Sequence, residues 1–215
     1  MIIPGTSGNA ALPAGDGYAT LHVAADGLAT MNGVLADGGR FSQSAYVTED
    51  GDWPLFASIY SGKGAIASWI AFANLSTSDL NGTLLWIKEA GASTTSFPLG
   101  FTNSVNSIGS FYVAPSAGNK ALNLSGAVVN FSGGSLTTSF NNVVSVNANS
   151  QVVNLSPNEM VMTVMNAVGS FTGQVREPGT GALHMYGGVV LQKQNAGYGT
   201  MTGVPTGSRV IFSAP

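Results

Sequence analysis

The chain contains no cysteine. That excludes a disulfide framework, thiol catalysis and any zinc or iron–sulfur centre held by thiolates. Charge is almost as scarce. Asp, Glu, Lys and Arg make up 8% of the 215 residues, against ~25% in an average soluble chain. Seven basic and ten acidic residues leave a formal charge of −3. A phosphate-binding surface needs clustered Lys and Arg, so no nucleic-acid partner is expected. No apolar run approaches the ~18 residues of a membrane-spanning helix. The opening Met1-Ile2-Ile3-Pro4-Gly5 lacks the basic flank and apolar stretch of a signal peptide. His22 and His184 are the only histidines. They form no His-x-x-x-His pair, and no Gly-x-Ser-x-Gly elbow accompanies them, so zinc-site and triad spacings are missing.

What the chain does have is small and polar. Glycine contributes 29 residues, and Ser, Thr and Asn supply polarity without charge, the style of an extracellular surface. The strongest pattern has a period of two. Tyr18-Ala19-Thr20-Leu21-His22-Val23, Val143-Val144-Ser145-Val146-Asn147 and Met162-Thr163-Val164-Met165 alternate apolar with small or polar residues. Such alternation sets one face of a strand on a core and the other on water. Turn residues return every ~8–12 positions, as in an all-β sandwich or barrel. No window sustains apolar spacings of three and four, so no long helix is expected.

Residues 1–16 are rich in Pro, Gly and Ser and read as a flexible linker, leaving 17–215 as a single β domain. Strands are expected over 18–24, 28–36, 40–48, 53–60, 65–73 and 79–88. The links between them, such as Ala25-Asp26-Gly27, Asp37-Gly38-Gly39 and Glu49-Asp50-Gly51-Asp52, are too short for anything but antiparallel hairpins. Residues 91–120 read as a connection carrying one or two short strands. Strands resume over 121–131, 135–140, 142–147, 150–155, 160–166, 169–176, 183–192, 197–203 and 208–213, with a late turn at Pro205-Thr206-Gly207. The halves, about 17–90 and 121–215, carry a weak internal repeat. Leu28–Leu35 lines up with Val168–Val175, Phe56–Tyr60 with Gly187–Leu191, and Gly64–Trp69 with Gly197–Thr202. This many strands exceeds the roughly ten that an open twisted sheet holds before it curls or splits. The expected fold is all-β, a mainly antiparallel meander forming a large β-barrel or a barrel-like two-sheet domain.

Chemistry-bearing residues are few. Asp16, Asp26, Asp37, Asp50, Asp52, Asp79, Glu49, Glu89, Glu159 and Glu177 are the carboxylates, and most sit in expected turns, where Asp serves the backbone. Two that converge across a cleft would give hydrolase chemistry; no spacing singles out such a pair, and no catalytic residue is assigned. Glu49-Asp50-Gly51-Asp52 is the densest acidic cluster, and Asp50 and Asp52 are the ligands a calcium ion would take there. No other cofactor is expected. Among the tryptophans, Trp69 shares a strand face with Ala67 and Ala71, and Trp86 shares one with Leu84, which reads as core. Trp53 opens its strand beside the acidic turn and is the rim candidate for stacking on a sugar; Trp53 and Tyr60 are the expected ligand-binding residues.

Gly33-Val34-Leu35-Ala36-Asp37-Gly38, then Trp53 to Tyr60, then Leu80 to Lys88, carry a resemblance, as do Gly188-Val189-Val190-Leu191-Gln192, Gly197-Tyr198-Gly199 and Gly207-Ser208-Arg209-Val210. With these motifs the chain resembles β-rich modules found next to immunoglobulin-like repeats in large bacterial surface proteins. More loosely, its two meandering halves resemble the barrels of lipocalins and transferrin-binding lipoproteins. The first family has no established catalytic residues to carry over. The resemblance implies an extracellular or cell-surface setting and an adhesive or architectural role without enzymatic activity. Partners would be other surface-protein domains or extracellular glycans, with self-association through an added strand as a further route. A glycan- or small-ligand-binding barrel and a carboxylate hydrolase are the alternatives.

Overall fold

The computed structural model describes residues 1–93, 95–202 and 206–215. It is all-β and antiparallel, and the only helical pieces among the described residues are three single 3-10 turns. None of the described helices is long and apolar enough to cross a membrane.

The first barrel-like sheet contains β1 (Ile2–Ile3), β2 (Gly17–Val23), β3 (Leu28–Val34), β4 (Arg40–Tyr46), β5 (Asp52–Ile59), β6 (Gly64–Phe72), β7 (Leu80–Lys88) and β8 (Phe101–Gly109). Its order is β4-β3-β2-β1-β8-β7-β6-β5. The second contains β9 (Gly126–Ser132), β10 (Phe140–Val146), β11 (Val152–Asn154), β12 (Val161–Met165), β13 (Ser170–Arg176), β14 (Leu183–Leu191), β15 (Ala196–Thr202) and β16 (Arg209–Ser213). Its order is β11-β10-β9-β16-β15-β14-β13-β12. Each sheet is therefore an up-and-down meander whose first and last strands pair, β1 with β8 and β9 with β16. One seam in each remains without a main-chain ladder: β4 beside β5, and β11 beside β12.

The expected hairpins form because their turns supply what the backbone needs. The carboxylates of Asp26 and Asp37 each accept the N–H two residues on, from Leu28 and Gly39. The glycine after each, Gly27 and Gly38, takes the left-handed φ that the reversal requires. Three expectations need correction. Ile2–Ile3 lie in the segment read as linker, yet they form β1 between β2 and β8, because two residues are too few to register as a period. Residues 4–16 carry no strand, but Asp16 Oδ1 holds Gly5 N–H at 2.8 Å. Phe101–Gly109, read as part of an irregular connection, is a full strand whose inward positions are largely polar or small (Asn103, Ser107, Gly109), which hides the alternation. No strand occupies 135–139. The turn at Pro205 and the end of the strand expected over 197–203 lie outside the described residues. The repeat is one of architecture: β3 is the third strand of its barrel, whereas its matched segment β13 is the fifth.

Each barrel has its own core. Trp53, Leu55, Ile66, Ile70, Leu84 and Trp86 fill the first. Phe131, Phe171, Tyr186, Met201 and Phe212 fill the second, with Phe131 stacked on Phe140 at 5.0 Å. A small third cluster, centred on Ile2, Val189 and Leu191, joins them. Two ion pairs clamp the ends of this junction. Lys193, in the turn after β14, reaches into the β6–β7 loop and meets Asp79 Oδ1 at 2.6 Å, with the Leu75 and Ser78 carbonyls at 2.6 and 3.2 Å. Arg209 on β16 meets Asp16 at 3.1 Å and the Gly5 carbonyl at 2.8 Å. Burial raises the Asp16 carboxyl above its ordinary range, and Arg209 opposes that rise.

Candidate functional site

The residues singled out by sequence do not gather into one site. Trp53 is not at a rim: it is fully buried, and its indole N–H donates to the Ala45 carbonyl at 3.1 Å. The reason is strand parity. Trp53, Leu55, Ala57 and Ile59 alternate onto the inner face of β5. Trp69, expected in the core, is 64% exposed, because it falls on the outer face of β6 while Ile66 and Ile70 point inward. Trp86 is buried as expected. Asp50 and Asp52 lie in and after a tight turn held by its own groups. Asp52 N–H donates to Thr48 Oγ1 at 3.0 Å, and Gly51 N–H donates to the Thr48 carbonyl. Among the described residues no three His, Cys, Asp or Glu side chains converge on a point where a metal would sit.

Tyr60 belongs to a buried polar cluster inside the first barrel. Its hydroxyl donates to Asp37 Oδ2 at 2.6 Å and accepts from the Trp86 indole at 3.0 Å. Lys88 Nζ reaches the same Asp37 oxygen at 2.6 Å, and both side chains of that pair are essentially inaccessible. The ammonium also stands 4.6 Å from the Tyr60 ring centroid. Burial, with the Asp37 carboxylate beside it, raises the phenol far above its ordinary range. Every charge in the cluster has a partner, which is what a low-dielectric interior demands. It is a structural knot in which the Tyr60 hydroxyl is held by Asp37 and Trp86.

The open site lies between the barrels. Two adjoining hollows of about 550 and 790 Å³ share Thr20 and Asn32 and form one groove. The floor is the outer face of β2, β3 and β4. Register places Thr20 beside Asn32 and Asn32 beside Ser42; His22 beside Thr30 and Thr30 beside Ser44; and Tyr18 beside Val34 and Val34 beside Arg40. These are cross-strand rows of hydroxyl, carboxamide and ring groups, with a cation only at the Arg40 end. The opposite wall comes from the second barrel and the segment joining the two: Met165, Val168 and Phe111, the last two strongly exposed. Tyr112 anchors this wall by donating to the Asn166 carbonyl at 2.6 Å. Phe111 N–H is fixed by Asp79 Oδ2 at 2.7 Å. Partial burial pushes the Asp79 carboxyl up, but Lys193 and the Phe111 N–H outweigh it and hold it below its ordinary range.

Apart from His22 and Asp79, weighed only as a histidine and a carboxylate, none of these groove residues stands out in the sequence. Their only trace there is the polar half of an alternating strand, which every half-exposed strand carries. Two further carboxylates and His184 are tied in the second barrel. Glu159 pairs with Arg176 at 2.7 Å, and Glu177 lies 3.2 Å from His184 Nε2 while accepting the Thr137 N–H. Compared with protein-family models, with curated proteins and with solved structures, the chain finds no match.

Proposed function

We propose that the chain is a non-enzymatic binding module of the extracellular bacterial surface, with an adhesive role, and that it holds an uncharged polar ligand in the groove between its barrels. The observation that carries this reading is the floor of that groove. Thr20, Asn32 and Ser42 form one continuous row and His22 and Thr30 begin another, opposite a wall that carries Met165, Val168 and Phe111. Hydroxyls and carboxamides can both donate and accept, so such a floor suits a ligand rich in neutral hydroxyl groups. The two ion-pair clamps support it further. They fix the walls before a ligand arrives, which lowers the ordering cost of binding. The non-enzymatic part rests on the missing catalytic spacings in the sequence, and five of the ten carboxylates, Asp16, Asp37, Asp79, Glu159 and Glu177, are each committed to an ion pair. The surface setting rests on the uncharged Ser, Thr and Asn composition and on the sequence resemblance.

Titration calorimetry against a panel of neutral oligosaccharides tests the reading. Thr20→Arg places a long cation across the shared middle of the groove, and Asn32→Ala removes its central hydrogen-bonding group. Each should weaken binding by about tenfold or more with an unchanged melting temperature. Affinity that survives both substitutions overturns it. A rigid architectural spacer is the second reading, favoured by the Lys193 and Arg209 clamps; it gains if no neutral sugar binds.

A further inference from the structure

The outer face of β5, β6 and β7 carries several exposed apolar side chains. At its centre Trp69 is 64% exposed and Phe56 is 62% exposed. Their strands pair so that Pro54 sits opposite Trp69 and Phe56 opposite Ala67, which places the two aromatics on a diagonal of one sheet surface. Along β6 the outward neighbours of Trp69 are Ala67 and Ala71, on either side. These are too short to cover an indole, so Trp69 stands above a low floor. Leu85, opposite Ala67 and itself exposed, extends the apolar surface.

Beyond Trp69 the surface turns polar without turning charged. Thr83 lies on β7 between the residues opposite Ala67 and Ala71, level with Trp69, and it pairs with Asn106 on β8. Thr83 Oγ1 donates to Asn106 Oδ1 at 3.2 Å, and both side chains are exposed. Ser104 lies beside Leu85 in the next row. The single charge met by these rows is Asp52, opposite Ala71 at one margin.

From this we infer a second binding surface: a neutral sugar chain stacks its C–H face on Trp69 and Phe56 and hydrogen-bonds through its hydroxyls to Thr83 and Asn106. A sugar ring has an apolar face of C–H groups and a rim of neutral hydroxyls, and this surface offers an aromatic platform beside neutral donors and acceptors. The near absence of charge disfavours nucleic acids and highly charged polymers. This inference stands on residues separate from the groove and does not depend on it.

The molecule supplies its own reporter. Trp53 and Trp86 are buried, so acrylamide quenching of tryptophan fluorescence in the intact chain reads Trp69. Soluble neutral polysaccharides (β-glucan, xyloglucan, mannan, dextran) are the probes, with fluorescence quenching and gel retardation measured together. At least one polymer should shield Trp69 from acrylamide and retard the chain. Trp69→Ala should weaken retardation by about tenfold and Phe56→Ala by less, while Trp69→Phe restores part of it. All three should keep the wild-type circular dichroism and melting temperature. The inference is overturned if no polymer protects Trp69, or if retardation survives Trp69→Ala and Phe56→Ala. Retardation lost in Thr20→Arg but kept in Trp69→Ala assigns the sugar to the groove and equally overturns the platform.

Discussion

The two barrels share a topology and differ in how they close it. In the first, β4 and β5 diverge, and the gap is bridged by Gln43. Its amide donates to the Pro54 carbonyl at 2.6 Å and its oxygen accepts the Phe56 N–H at 3.0 Å. One side-chain carboxamide thus does the work of a missing peptide unit, because it carries a donor and an acceptor at nearly peptide geometry. In the second barrel the corresponding place is filled by three asparagines. Asn142, wholly buried, donates to Asn154 and Asn158 and accepts from Asn158 at 2.8 Å. The interiors differ as well. The first encloses the Asp37–Lys88 pair; the second is lined by aromatic rings, among them Phe131, Phe171, Tyr186 and Phe212. Backbone pairing can fail at one seam of a meander barrel, and two unrelated polar solutions make up for it. A further contrast is useful: all three tryptophans lie in the first barrel, so their fluorescence reports that barrel while circular dichroism reports both.

The largest effect is expected inside the first barrel. Lys88→Met leaves the Asp37 carboxylate buried and unpaired and should cost about 3–5 kcal/mol, whereas adding Asp37→Asn to it should recover part of the loss. Urea unfolding followed by both signals also tests how tightly the barrels are joined. A fluorescence transition that separates from the circular-dichroism transition in Lys88→Met would make them independent units; coincident transitions would make the clamps cooperative. Next comes the asparagine seam. Asn142→Ala strands the Asn158 carboxamide, while Asn154 keeps its bonds to Ser156, and should cost about 1–3 kcal/mol, seen by circular dichroism. Gln43→Ala should cost less, about 1 kcal/mol, because its seam is partly open to water. Its signature is faster amide exchange at Phe56; equal protection in both proteins would refute the bridge.

Acid should have the smallest effect, acting between the barrels at Asp79 and within the second barrel at Glu177. Asp79 titrates below its ordinary range in the folded chain, as does Glu177, which the Thr137 N–H and then His184 and Thr180 stabilise in its charged form. A depressed carboxylate adds stability above its unfolded pKa and loses it as pH falls through its folded one. Melting temperature should therefore decline as pH drops through and below the ordinary carboxylate range. Asp79→Asn should flatten part of that decline. An identical slope in the variant would show that the Lys193 clamp contributes nothing.

Much of the architecture was legible in the sequence, and specific residues explain where it was not. Hairpins such as Asp26-Gly27 and Asp37-Gly38 announce themselves, because an Asp side chain and a left-handed glycine are local requirements. β1 was hidden because two isoleucines have no period, and β8 because a barrel interior accepts Asn103 and Ser107 where core residues were sought. Trp53 and Trp69 face the opposite way from what their neighbours in sequence suggest. On β5, Trp53 and Phe56 stand three positions apart, so alternation guarantees that they face opposite ways without saying which is inward. Trp69 among alanines looks like a large ring packed in a tight core and turns out to be a large ring on a bare surface.

Taken by itself, the sequence determined the strand class, the antiparallel order and most hairpin positions, since these follow from periods and turn chemistry that act over a few residues. Only the tertiary structure decided how the strands divide into two barrels, which face of each strand is inside, and that Thr20, Asn32 and Ser42 line a groove beside a second barrel. Those properties depend on register and on contacts such as Lys193 with Asp79 and Arg209 with Asp16, between groups far apart in the chain, and local pattern carries no record of which distant group a side chain will meet.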